Sequence, residues 1–389
     1  MGRKLTMDMD VAHSASASAA PHPPLDQIPA HIETLADYER LAAHHMDAAT
    51  WRHIQSGAGH GQSLIDNRSC FDRFQLIPQM LTDMTGASTR IDLLGQSYAA
   101  PLFLAPVAYL RLAHPDGEIA AIRAATAIGV PMMVSTLSSF RLEDIADAAR
   151  AAAEALNRPC PPLWFQLYWQ ADRADNERLI RRAEAAGYGH IVLTIDAAIK
   201  RSNFALPHGI TAENLRDMQR ISVSSTPDDG QILFGSPLMQ SAPTWDSLSW
   251  LRKTTDLPLI LKGILSADDA RKAADHGADA IVISNHGGRV LDGLLSPLSA
   301  LPLIRQAMGP DYPLLIDSGF RTGTDIVKAL ALGANAVLIG RPQLHALAVA
   351  AMPGCAHMLH LLRAELELAM AQLGRTSPAQ LGPDLLWSP

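Results

Sequence analysis

His286 and Arg289 stand three residues apart in SNHGGRVLD, and as a pair they could take a proton and grip an anion. A neutral imidazole accepts a proton near neutral pH. A guanidinium holds a carboxylate through two parallel hydrogen bonds. Base plus clamp points to a substrate with both a removable proton and a carboxylate. Gly287 and Gly288, between the two, let backbone approach a ligand more closely than side chains would allow. Upstream, Lys262 ends a second apolar run, LPLIL. Taken singly, His286 reads as a strand-end histidine and Arg289 as a solvated charge; with Lys262 beside them they read as a site.

The elements that must position these groups form a strand-helix-strand unit. An apolar run at Pro258–Leu261 is followed by a helix with Ser266 and Asp269 at capping-box spacing; His276-Gly277 ends it, and a second apolar run follows at Ala280–Ile283. The same order of Ala-rich helix, glycine and short apolar strand recurs, and Gly129, Gly187, Gly277 and Gly333 sit where a helix end needs a left-handed residue. Eight candidate strands result, at roughly 102–107, 131–134, 163–167, 190–195, 258–262, 279–284, 313–316 and 336–339. Strands apolar on both faces and alternating with helices predict a covered parallel sheet, closed as an α/β (β/α)8 TIM barrel; a doubly wound open sheet is the alternative.

The barrel brings its strand ends to one mouth. The polar residues there are Ser135, Gln166 and Tyr168, Thr194 and Asp196, Lys262, Ser284 and His286, then Asp317, Gly319 and Arg321, and finally Gly340-Arg341. Arg321, Gly340 and Arg341 follow strands seven and eight, where barrels often bind phosphate.

Composition narrows the classes. Net charge is −7, with no basic tract to hold a nucleic-acid backbone. Cys70, Cys160 and Cys355 are widely spaced, as expected of reduced thiols in a cytoplasmic protein, and no metal-ligand spacing is present. No continuous run approaches the roughly 18 apolar residues of a membrane span. Residues 1–30, rich in Ala, Ser, Pro and His, read as a disordered tail, and 31–389 as a single domain. Two short helices between Thr34 and Ile54 make an N-terminal extension, and a long loop at about 197–245 follows strand four. Gly57-Ala58-Gly59-His60-Gly61 is no dinucleotide fingerprint, because it follows a helix rather than a strand.

SNHGGRVLD, with LPLILKG before it and LIDSGFRTGTDIVKALALGANAVLIGRP after it, resembles the FMN-dependent L-2-hydroxy acid oxidase and dehydrogenase family over about residues 34–374. The resemblance implies oxidation of an L-2-hydroxy acid to the 2-keto acid. His286 would take the proton, electrons would reach flavin N5, and oxygen or another acceptor would receive them. Asp196 would orient His286, Arg289 would hold the carboxylate, Tyr168 would hydrogen-bond a substrate oxygen, and Lys262 would stabilise the reduced ring. FMN would be bound by Ala108, Ser135, Gln166, Thr194, Lys262, Ser284, Asp317, Gly319, Arg321, Gly340 and Arg341. A homo-oligomer, commonly a tetramer, is also implied.

The chain departs from the family pattern in four places. His53 stands where a Tyr usually helps hold the carboxylate, and Leu137 replaces an aromatic residue lining the substrate pocket. Val107 replaces a Thr, and AIKRSNFALP after Asp196 lacks the usual arginine pattern, leaving Lys200 or Arg201 as substitutes. These departures keep an atypical hydroxy-amide or amine substrate open. A different phosphate- or flavin-binding barrel, such as an isomerase, and a non-catalytic binding barrel are the further alternatives.

Overall fold

The eight apolar runs are eight parallel strands in the computed structural model, which describes residues 20–199, 204–218 and 233–387. They are β1 (Leu102–Leu104), β2 (Met133–Ser135), β3 (Trp164–Tyr168), β4 (His190–Thr194), β5 (Leu259–Ile264), β6 (Ala280–Ile283), β7 (Leu314–Ile316) and β8 (Ala336–Ile339). Neighbours follow chain order from β2 to β8, and β8 pairs with β1. A parallel bridge between Leu104 and Met132 joins β1 to β2, so the sheet closes and the open-sheet alternative falls. β1 ends short of the expected 107, because Pro106 has no N–H for the ladder and the chain turns there into the site.

Alternation along the strands separates two cores. Phe103, Met133, Trp164, Val192, Ile260, Val282, Leu315 and Leu338 fill the barrel, where they meet Leu93 and Tyr98 of a small hairpin, Ile91–Leu93 with Gln96–Tyr98. The other strand residues, such as Leu104, Phe165, Leu193 and Leu261, face the helices. Continuing the inward alternation toward the carboxyl ends gives Ser135, Gln166 and Tyr168, Thr194, Lys262, Ser284 and Asp317. One periodicity therefore yields an apolar plug and, above it, a polar floor.

The covering helices begin and end as their caps dictate. Gly129, Gly187, Gly277 and Gly333 all adopt positive φ, between 79° and 106°. Ser266 accepts a hydrogen bond from the Asp269 N–H. At the start of the chain, α1 (Leu35–His45) carries a full Thr34–Asp37 capping box, α2 (Ala48–Gln55) is capped by Asp47, and α3 (Gln62–Ser69) follows. Residues 20–30 correct the expectation of a loose tail. Leu25 N–H donates to the Val349 carbonyl at 2.7 Å, His22 N–H to that of His44, and Leu25 and Ile28 pack on the core. Residues 1–19 lie outside the described residues.

The final helix, Arg341–Gln372, is long and apolar enough by length and composition to cross a membrane, but 61% of its most apolar window is buried inside the fold. It also breaks at Ala350 and Ala351, so it is two core helices in sequence.

Candidate active site

The loop after β6 holds the central group. His286, Gly287 and Gly288 have φ of 58°, 65° and 73°, three consecutive left-handed residues that lift the imidazole over the barrel mouth. A Cβ on Gly288 would lie 2.8 Å from the Leu64 nitrogen, so α3 can pack there only against glycine. The loop is fastened from beneath. Asn285 and Asn67 exchange two buried side-chain hydrogen bonds of 2.9 and 2.7 Å, Gly288 N–H donates to Asn285, and Gly287 N–H donates to Ser318. Asp292 ends the motif by accepting from the N–H groups of His60 and Ser63 at the start of α3, a helix with no side-chain cap of its own.

His286 Nδ1 lies 2.9 Å from Asp196 Oδ1. A carboxylate oxygen can only accept there, so Nδ1 carries a proton, and in the neutral ring Nε2 keeps its lone pair. Nε2 faces the Tyr168 hydroxyl at 3.4 Å. Asp196 fits because the next strand has Gly263, where a Cβ would lie 2.7 Å from Asp196 Cβ. Burial opposes ionisation of Asp196, but the nearby His286 and Lys262 outweigh it and hold its pKa below the usual carboxylate value. Burial raises the Tyr168 pKa well above the phenol range, with Asp196 adding to it, so the hydroxyl stays a donor.

Lys262 is buried, yet charged. Desolvation works against its ammonium, but Asp317 at 2.9 Å and then Asp196 more than offset it and raise the pKa. Its Nζ also donates to Ser284 Oγ, which in turn accepts from the His286 backbone N–H.

Two guanidiniums meet at the end of α2. Arg289 Nη1 donates to the carbonyls of His53, Ile54 and Ser56, and Arg341 donates to those of Ile54, Ser56 and Gly287. Helix-end carbonyls are natural acceptors for cations. Burial lowers the pKa of both, and Arg289 and Arg321 press on Arg341 further. Arg321 makes a salt bridge to Glu39 on α1 at 3.2 Å while still lining the cavity.

A cavity of about 670 Å³ opens at this mouth. Of the residues expected to hold substrate or cofactor, His53, Ala108, Leu137, Tyr168, Thr194, Lys262, His286, Arg289, Asp317, Gly319, Arg321, Gly340 and Arg341 line it. Asp196 stands behind His286, and Ser135, Gln166 and Ser284 are buried without forming its wall. Lys200 and Arg201 lie outside the described residues. Sequence reasoning missed Tyr109, Trp169 and Phe204 on the wall, and the Asn67–Asn285 pair beneath it. Tyr109 has a left-handed backbone, which its sequence does not announce; the two asparagines are 218 residues apart.

The site fits a flavin mononucleotide. Gln166 Nε2 and Thr194 Oγ1 are buried with no hydrogen-bond partner among the described residues, at the end of the barrel where a polar ring edge would satisfy them. Arg341 and Arg321 gather positive charge beyond β7 and β8, where a phosphate would be held.

Comparison with known proteins agrees. Residues 42–388 match the FMN-dependent dehydrogenase family. The chain belongs to that family. It is 44% identical to an L-lactate oxidase from Alicycliphilus denitrificans, over 93% of this chain and 98% of that one. It is 42% identical to a 4-hydroxymandelate oxidase from Amycolatopsis orientalis, over 88% and 94%. Among solved structures, a mandelate oxidase with (S)-2-phenylpropionate superposes with a TM-score of 0.80 at 39% identity, over 92% of this chain and 98% of that one. The cofactor of the family is FMN, and members oxidise 2-hydroxy acids.

Proposed function

We propose that this FMN-dependent enzyme oxidises an L-2-hydroxy acid to the 2-keto acid with His286 as base, and that oxygen is the electron acceptor. The observation that carries this reading is the Asp196–His286–Tyr168 line at the cavity wall, in which Asp196 engages Nδ1 and Nε2 faces the Tyr168 hydroxyl. Bound FMN supplies a two-electron acceptor. The remaining work falls to side chains of this chain.

Arg289, held on the α2 carbonyls, presents its other nitrogens to the substrate carboxylate and so sets the substrate's orientation. Tyr168 donates to a substrate oxygen. His286 Nε2 takes the proton, and Asp196 steadies the imidazolium that results. Lys262, kept charged by Asp317, places a fixed positive charge beside the cofactor site. Ala108, Ser135, Gln166, Thr194, Ser284, Asp317, Gly319, Arg321, Gly340 and Arg341 would hold FMN.

Oxygen as acceptor is supported by the oxidase names of the relatives. A cytoplasmic location is supported by three free cysteines, two of them buried, and a homotetramer by the family resemblance. Anaerobic addition of an L-2-hydroxy acid should bleach the flavin band and release the 2-keto acid, with colour and peroxide returning on admission of air. A flavin that stays oxidised with every hydroxy acid would refute the reading; slow recovery of colour in air would replace oxygen with another acceptor.

A further inference from the structure

Three separate loops bring apolar side chains to the cavity. Leu112 comes from the loop after β1, Leu137 from the loop after β2, and Phe204, Leu206, Leu215 and Met218 from the described parts of the long connection after β4. All six are only partly buried and face the same space as His286 and Tyr168.

This wall is built into the fold. Glu118, fully buried on α4 (Gly117–Ile128), accepts with one oxygen from both Leu110 N–H at 3.0 Å and Ser139 N–H at 2.9 Å, tying the first loop to the second. Buried Asn214 ties the third to the second: it accepts from Leu142 N–H at 2.9 Å and donates to Ser138 Oγ at 2.8 Å, while Glu213 N–H donates to the Ser138 carbonyl. Two buried polar side chains are thus committed to holding apolar ones around an opening. From α2 the His53 ring lies flat on Phe204, with centroids 4.0 Å apart and 15° between planes. Both rings of that stack line the cavity, and Arg289 Nη1 donates to the His53 carbonyl, which puts the stack close to the carboxylate clamp.

Resting on the hydroxy-acid reading above, we propose that the group on the substrate's hydroxyl-bearing carbon is bulky and apolar, an aryl or branched alkyl group seated between Phe204 and Leu137, rather than the hydrogen of glycolate or the methyl of lactate. Apolar surface left wet is unfavourable, and a substituent that covers it is favoured roughly in proportion to area. A methyl group covers little of a wall to which three loops contribute apolar side chains. The substrate class therefore differs from that named for the lactate oxidase relatives.

The test uses FMN-loaded enzyme and compares glycolate, L-lactate, L-2-hydroxyisocaproate, (S)-mandelate and L-3-phenyllactate by kcat/KM. It also compares acetate with phenylacetate, which cannot be oxidised, by the change each makes in the oxidised flavin spectrum. The bulky substrates should exceed lactate by about 10- to 100-fold, the range a few well-packed carbons give, and phenylacetate should bind correspondingly tighter than acetate. Phe204→Ala should lower the ratio of aryl to lactate kcat/KM by about 10-fold. Lactate or glycolate as the best substrate, or an unchanged ratio in the variant, would overturn the proposal while leaving hydroxy-acid oxidation standing. Failure of every acid to reduce the flavin would overturn both. Should Phe204→Ala fail to fold, the paired carboxylates still decide with the unaltered chain.

Discussion

Asp196 engages His286 through a single atom. Its Oδ1 accepts from His286 Nδ1, so the proposed proton transfer falls to Nε2, and an amide in its place would turn its NH2 toward Nδ1 and reverse the tautomer. Asp196→Asn should keep FMN but slow flavin reduction on the order of 10²- to 10⁴-fold, measured by anaerobic stopped flow. A change below about threefold would remove Asp196 from the proton path. At this scale much was legible. His286, Gly287, Gly288 and Arg289 are contiguous, and Lys262 ends a recognisable apolar run, so their chemistry could be read as a unit. Asn67 was not legible as the partner of Asn285, because reciprocal amide pairing depends on α3 crossing under the loop and leaves no local pattern. The role of Asp292 was hidden likewise: it caps a helix 229 residues earlier in the chain.

The strands were readable as elements because each helix–strand junction in the repeated pattern carries a left-handed glycine and each strand is apolar on both faces. What could not be read was how the loops are fastened to one another. Glu118 is the case in point. It lies in an Ala-rich helix whose spacing gives no sign that one acid is fully buried with two backbone donors. Burial raises its pKa above 4.5, so the carboxylate is less favourable in the folded chain than in the unfolded one. Its stability contribution is therefore most favourable below pH 4.5 and declines as pH rises toward and through the folded value. Glu118→Gln keeps an oxygen for the Leu110 and Ser139 N–H groups without the charge. It should raise the melting temperature by at least ~1 °C near pH 8, with the difference vanishing below pH ~4.5. A variant that melts lower at pH 8 would show that the charge itself, facing Arg111, stabilises the loops.

The whole barrel encloses two imidazoles that no site chemistry uses. His190 stacks on Trp164 inside the barrel, with 4.0 Å between ring centroids, and His345 is fully buried near the Glu39–Arg321 pair. Burial pushes their pKa values down to about 4 and about 3. Between pH 6.5 and about 4 the unfolded chain binds protons that the folded chain refuses, so stability falls with acid across that window, by at most about 1.4 kcal/mol per pH unit for each histidine. Urea midpoints from pH 7 to 4.5 should show this fall, and His190→Gln should flatten it; an equally steep fall in the variant would place the titrating groups elsewhere. The same closed barrel is why side chains spread from residue 53 to residue 341 share one cavity. That convergence on FMN, with His286 as the base, is tested most directly by anaerobic mixing of FMN-loaded His286→Ala with an acid that bleaches the unaltered enzyme. The variant should hold its flavin at normal stoichiometry and stay yellow on the timescale in which the unaltered enzyme bleaches, slowed by about 10²-fold or more. Bleaching at a near-normal rate would contradict the account.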